Sequence, residues 1–337
     1  MPTLMDVRPA AALPGGEIEL IGVGLGPELS AEIGDVTALV TLARSSRAIV
    51  LVPEGVLPGE IVVTHGGVRS NGLHVAVAVA MAENLHPVAN PAVDAKGNVF
   101  TTLSGSRGQA TPISIFRIAP APEGVVHELR PFARNILNPT GLAFGQDGLL
   151  YCSSRAEGTV YRIDASGDVA VFAEGLGIAT GIAFDQAGDL YVGDRSGTIF
   201  KIRMGGEAED FKAGETFVFA TLEPSIAAYH LAFDSKGTLY VTGPTTASNQ
   251  TVHAIDKDGR GSVFYQGLGR AQGMAFDSAD NLYVAASLKG ERGIVKITPG
   301  GEAEVVVAGS NVIGLAFLPE GKAAVATRDA VFEVQLG

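Results

Sequence analysis

The sequence predicts an all-β protein: a small N-terminal Ig-like β-sandwich followed by a six-bladed β-propeller. Three observations predict it. Short runs of β-branched and aromatic residues are separated throughout by Gly, Asp and Asn, and glycine reaches 44 of 337 residues, heavy for a helical chain. No long segment carries apolar residues at the i, i+3, i+4, i+7 spacing of an amphipathic helix. A short phrase recurs six times between residue 89 and the C-terminus.

Residues 1–80 form the first unit. RPAAALPGGEIELIGVGLGP and the stretch from AEIGDVTALV to NGLHVAVAV read as short alternating strands, with turn signals about every ten residues. There is no Cys pair and no Trp, so this is not a disulfide-pinned antibody-type domain.

Residues 81–337 hold the repeat. Its copies are ANPAVDAKGNVFTTL, TGLAFGQDGLLYCSS, TGIAFDQAGDLYVGD, YHLAFDSKGTLYVTG, QGMAFDSADNLYVAA and IGLAFLPEGKAAVAT. Equivalent positions are Val93, Phe144, Phe184, Phe233, Phe276 and Phe317, separated by 51, 40, 49, 43 and 41 residues. Each phrase supplies two strands, a third follows (TVYRI, TIFKI, TVHAI, GIVKI), and a Gly turn leads to a fourth. Four strands in that length make a propeller blade, whose faces are buried only against neighbouring blades. The DxxG turns suit a left-handed residue in a tight turn better than a calcium loop, and no DxDxDG pattern is present. The last copy ends after three strands, so closure calls for a fourth from elsewhere, and residues 76–83 are the expected donor.

Charge and cysteine content narrow the functional classes. The 24 Lys+Arg against 36 Asp+Glu give a net charge of −12, which argues against nucleic acid and anionic membrane surfaces as partners. The longest apolar run, residues 73–82, is too short for a membrane span. The start of the chain does not read as a secretory signal, so the expectation is cytoplasmic by default, or secreted or periplasmic if a leader has been removed. The single cysteine, Cys152, lies in the apolar run LLYCSS and is expected to be a buried, inert thiol.

In the first unit the Pro, Gly-Gly, alternating apolar residues, Gly and Gly, followed by VP, LPGE and SNG, resemble the IPT/TIG immunoglobulin-like domains over about 75 residues. Such domains act as spacers, packing modules or interaction surfaces. Phrases such as GIAFDQAGDLYVGD make the rest resemble the NHL-repeat proteins and, more loosely, the gluconolactonase/regucalcin-like six-bladed hydrolases, over about 250 residues. The second resemblance implies a divalent metal held by Glu, Asn and Asp, five residues before the Asp that ends each innermost strand. The matching positions here are Ala89, Thr140, Thr180, Tyr229, Gln272 and Ile313, none a carboxylate. A hard cation wants several oxygen ligands with carboxylates among them. No cofactor is therefore expected, with calcium or another divalent metal entering only if the lactonase alternative holds.

Propellers gather ligands at one mouth of the central channel. Arg155, Arg195 and Arg328 stand at comparable blade positions and could grip a carboxylate, sugar acid or phosphate. Alternatively each pairs with a neighbouring Asp194 or Asp329 and rims a solvated tunnel. His230 replaces the Gly found at the matching point of four other copies and, beside Tyr229, brings two polar rings near the channel. Both would be the catalytic candidates in an enzyme, although no partner acid or nucleophile is specified by spacing. Asp194, Asn138, Gln272 and His86 complete the ligand-binding candidates. No GxSxG, HExxH, P-loop or GxGxxG in a strand-to-helix context appears. Two loops break the blade rhythm, residues 243–251 on the mouth side and residues 203–217, whose Glu207, Glu209 and Asp210 form an acidic cluster.

The favoured expectation is a binding or scaffolding protein that recognises a small anionic or carbohydrate-like ligand, or a protein partner, at the channel mouth. The alternatives are a gluconolactonase-like hydrolase or lyase acting on a sugar lactone or related carbohydrate, and a structural module self-associating through the N-terminal sandwich.

Overall fold

The computed structural model describes residues 1–122, 125–205, 214–247 and 249–336. The acidic cluster Glu207, Glu209 and Asp210 lies outside them. The described chain is all-β, and its only helical element is a single 3-10 turn at Pro319–Gly321.

After the N-terminal strands, the repeat folds as successive antiparallel groups in a propeller-like arrangement. The first group is Ala92–Val93, Val99–Thr102, Ile115–Ile118 and Leu129–Ala133. The second is Pro139–Phe144, Leu150–Ser154, Thr159–Ile163 and Val169–Ala173. The third is Ala179–Phe184, Leu190–Asp194, Thr198–Ile202 and Thr216–Thr221. His230–Phe233, Leu239–Thr242, Gln250–Ile255 and Gly261–Gly269 follow, then Met274–Phe276, Leu282–Leu288, Glu291–Ile297 and Ala303–Ala308. The last group is Val312–Phe317, Lys322–Thr327 and Ala330–Gln335, and the fourth partner of that sheet is Val79–Glu83, paired antiparallel to Ala330–Gln335. The first strands of consecutive groups touch in order, and the first group's touches the last group's, so the series runs as a ring.

Among the described residues four of these groups are separate four-stranded sheets, fewer than the six isolated blades expected. The reason lies in two edge pairings. Gly261–Gly269 runs long enough to pair Leu268 and Gly269 with Leu288 and Ser287 of the next group. Ala11–Ala12 lies parallel between Val307–Ala308 on one side and Ala76–Val77 on the other, which joins that group to the N-terminal strands.

Aromatic contacts explain why the repeated phrase keeps its Phe. Phe144 packs edge-on against Phe100, Phe184 against Tyr151, Phe233 against Tyr191, Phe276 against Tyr240 and Phe317 against Tyr283, with ring centroids 4.8–5.2 Å apart. Each first-strand Phe thus fastens its group to the second-strand aromatic of the group before, a geometry that adds about 0.5–1.5 kcal/mol beyond area burial. The first copy has Val93 instead, and there the seam is filled by Met81, Leu85, Val99 and Val331. The turn aspartates cap their own hairpins: Asp94 Oδ1 accepts from the amides of Lys96 and Asn98 at 2.9 and 2.8 Å, and Asp234 and Asp277 repeat the pattern. Their carboxylates are occupied by backbone N–H groups, which is the Asx geometry of a tight turn.

The N-terminal strands enclose their own core, with Ile18, Leu20, Ala31, Ile33, Val50, Ile61, Val63 and Val75 fully buried. Thr3–Arg8 pairs with Glu17–Val23, which pairs with Arg47–Leu51, and Gly59–His65 pairs with both Ser30–Ile33 and Leu73–Val77. Leu13 N donates to Ala308 O at 2.8 Å and Ala78 N to Ala12 O at 2.8 Å, so backbone hydrogen bonds stitch the two regions together.

Candidate functional site

A cavity of about 1080 Å³ opens where the connections after the second strands converge. Arg155, Arg195 and Arg328 all line it, each following the second strand of its group. Two further arginines join them: Arg270, directly after Gly261–Gly269, and Arg292, within Glu291–Ile297. His86, His230 and Gln272 also face it. Among the described residues the lining contains no Asp, Glu, Lys, Phe, Tyr or Trp side chain. Sequence comparison of the copies misses Arg270 and Arg292 because they come from a fourth and a third strand, outside the repeated phrase.

Among the described residues no ion pair involves any of these five arginines. The expected aspartate partners are committed elsewhere. Asp194 is buried and accepts from Ile178 N at 2.8 Å and from the amide and hydroxyl of Ser196, while Asp329 accepts from the Thr327 hydroxyl at 3.4 Å. Neutral acceptors orient the two half-buried guanidiniums instead. Arg155 Nη2 donates to Ser104 Oγ at 3.3 Å and Gly105 O at 3.4 Å, and Arg195 Nε donates to Ser225 O at 3.2 Å. His86 Nδ1 in turn donates to the Ser104 carbonyl. Burial first, then the like charges of Arg107 and Arg195, push the Arg155 guanidinium below its ordinary value.

Other sequence candidates are turned into the scaffold. Asn138 is 1% exposed, accepts from Gly108 N at 2.7 Å and donates to Gly105 O and Ser106 O at 2.8 and 2.9 Å, so it shapes the loop under Arg155 without lining the cavity. Tyr229 is also buried outside the lining; its hydroxyl donates to Glu223 O and is pushed up to about 12 by burial and by nearby Asp194 and Glu223. Of the positions matching lactonase metal ligands, Thr140 donates to Asn138 O at 3.1 Å and Thr180 to Gly193 O at 2.9 Å. Among the described residues no three His, Cys, Asp or Glu side chains come together as a metal site. Cys152 is fully buried, and burial pushes its thiol up to about 12, as its apolar setting in the sequence implies. In the loop 243–251, Pro244, Thr245 and Ala247 join the cavity wall, held by Gln250 Nε2, which donates to Thr245 O at 3.2 Å and Ala247 O at 3.4 Å.

His230 belongs to the linings of both this cavity and a second of about 20 Å³ on the inner side. It is 4% exposed, has no side-chain hydrogen-bond partner among the described residues, and burial pushes its imidazole down to about 4. The inner cavity is bordered by Asn90, which reaches from the first group to the fifth and sixth: its Nδ2 donates to Met274 O at 2.7 Å and its Oδ1 accepts from Leu315 N at 3.3 Å. Gly273 and Gly314 make room for it, since a Cβ at either would sit 2.0 or 2.1 Å from the Asn90 Oδ1. Asn90→Ala is expected to cost about 2 kcal/mol, because it strips the partner from two backbone groups at the axis. Urea denaturation measures it; a change under about 0.5 kcal/mol would mean that water replaces the amide freely.

No protein-family model and no curated protein matches the sequence. Solved structures do. The chain is similar to a protein assigned as a gluconolactonase (TM-score 0.60, 17% identity, covering 78% of this chain and 92% of that one). It is similar to a gluconolactonase from Xanthomonas campestris (TM-score 0.57, 13% identity, 78% and 90% covered). A third likeness, to an auxiliary nutrient binding protein from Bacteroides thetaiotaomicron, spans 99% of this chain and 97% of that one at TM-score 0.56 and 12% identity. At these identities the likeness is one of fold: a β-propeller of the kind the gluconolactonase-like proteins adopt. No helix among the described residues is long and apolar enough to cross a membrane.

Proposed function

We propose that the chain is an N-terminal immunoglobulin-like sandwich fused to a six-bladed propeller, and that it is a binding protein for a small organic anion held at the propeller mouth. One observation carries this reading. A chain of net charge −12 directs five arginines and, among the described residues, no carboxylate into one cavity of about 1080 Å³. Left without counter-charges, such groups repel one another, and an acceptor-only anion relieves that repulsion while taking charge-assisted, bidentate hydrogen bonds. Arg155 and Arg195 are already oriented by neutral acceptors, so little side-chain freedom is lost on binding.

The alternative, a gluconolactonase-like hydrolase or lyase, draws on the names of the structural neighbours. It needs a divalent cation held largely by oxygen ligands, and five guanidiniums in the lining repel such a cation.

Isothermal titration of the full chain with organic acids and their neutral amides tests the proposal. Acids are expected to bind and amides not, with affinity falling as salt is raised. Arg155→Gln and Arg195→Gln are each expected to weaken acid binding by about 10- to 100-fold, the worth of a hydrogen bond to a charged group. Acids and amides binding equally, or neither binding, overturns the reading.

A further inference from the structure

We propose that the mouth is a two-pole site, built for an organic dianion whose acidic groups sit at opposite ends of an uncharged body. This rests on the anion-binding reading above and deepens it.

The order of the groups around the ring carries the inference. Arg155 and Arg195 come from the second and third groups. Arg292 and Arg328 come from the fifth and sixth, with Arg270 on the connection into the fifth. In a ring of six, the second and third groups stand opposite the fifth and sixth, so the arginines form two arcs facing each other across the mouth. The arcs are kept apart on both sides. The fourth group presents Ile226, Ala228, Pro244 and Ala247, with no ionisable side chain above the floor. The first presents Pro87 and Val88 with His86, whose Nδ1 is taken by the Ser104 carbonyl.

The two arcs differ in kind. Arg155 and Arg195 are half-buried and anchored to neutral oxygens, a fixed clamp; Arg270, Arg292 and Arg328 are exposed and carry no side-chain hydrogen bond among the described residues, an adaptable rim. Between them the floor holds His230, buried and unpartnered, with its ring open to the cavity.

Donor and acceptor chemistry favours an acid over a neutral sugar. A guanidinium offers five donors and no acceptor, whereas each sugar hydroxyl also brings a donor of its own that needs an acceptor. Among the described residues the lining holds no carboxylate, so those hydroxyl donors go unmet by ionised side chains, and no Phe, Tyr or Trp face is present to stack a ring. Carboxylate and phosphate groups are acceptor-only and match.

Calorimetry of the full chain against α,ω-dicarboxylates of four to ten carbons, monocarboxylates of the same lengths and the corresponding diols tests this, with alkane bisphosphonates separating phosphate-type from carboxylate-type ends. At one length or more the dianion is expected to bind at least about 30-fold more tightly than its monoacid, with no binding of diols. The paired variants Arg155→Gln/Arg195→Gln and Arg292→Gln/Arg328→Gln are each expected to bring the dianion to within about threefold of the monoacid. If monoacid and dianion bind alike at every length, or if the Arg292/Arg328 pair is dispensable while Arg155/Arg195 is required, the site has one pole and this inference fails while the anion-binding reading stands. If no acid binds, both fail. The wild-type comparison needs no variant, so a misfolded variant does not spare the inference.

Discussion

A chain lacking residues 1–83 is expected not to hold the native fold at 37 °C. Four residue pairs join Val79–Glu83 to the strand Ala330–Gln335, and their loss bares the edge of the last group. Edges of this kind pair with other chains and aggregate. The deletion also uncovers the closing seam, where Met81, 5% exposed, and Ala82, 8% exposed, cover Ala324, Ala326 and Val331. This seam lacks the aromatic pair that fastens the other groups, so it leans more heavily on these apolar contacts and on the Asn90 bridge to Leu315. Lost ladder bonds at about 1 kcal/mol each and one large apolar side chain at about 2 kcal/mol give more than about 5 kcal/mol, comparable with the whole stability of an ordinary domain. Circular dichroism melts of the full and shortened chains decide it. An unchanged melting temperature would mean that the ring closes without this strand.

Acidification from pH 7 to pH 4.5 is expected to remove about 2.4 kcal/mol of stability through His230 alone. Its imidazole titrates near 6.5 in an unfolded chain and, because of burial, near 4 in the folded one. Above pH 6.5 both states are neutral and the residue has no effect. Between 6.5 and 4 the unfolded chain takes up a proton that the native state refuses, so stability falls by up to about 1.4 kcal/mol per pH unit. Below 4 both states are protonated and the loss levels off. Urea denaturation of the native sequence and His230→Gln at both pH values isolates this contribution, since the carboxylates titrate alike in the two proteins. If both lose equal stability, the imidazole is not held neutral in the cavity floor.

The repeat was the readable part, and the reason is physical. Each Phe of the phrase has the same task, an edge-on contact with the preceding group, so the same residue returns at each copy. Arg155, Arg195 and Arg328 were legible by the same logic, because equivalent positions point toward a common axis. Arg270 and Arg292 were not, since they reach the cavity from strands whose residues carry no shared phrase. Asn138 and Tyr229 show the converse: both look like polar ligands in the sequence, yet their hydrogen bonds go to loop backbone, and side-chain direction in a connection has no periodic signature. The two-residue strand Ala11–Ala12 is too short for any alternation, so the junction it makes was invisible.

That junction governs how the molecule bears load. The ladder runs without a break from Leu73–Val77 through Ala11–Ala12 to Ala303–Ala308, and the next residue, Gly309, belongs to the cavity wall. A pull on the N-terminal strands is therefore met in shear along the backbone hydrogen bonds of this ladder. If the N-terminal region rests on another surface, the mouth is held at a set angle to that surface, as the bowl of a ladle is held by its handle.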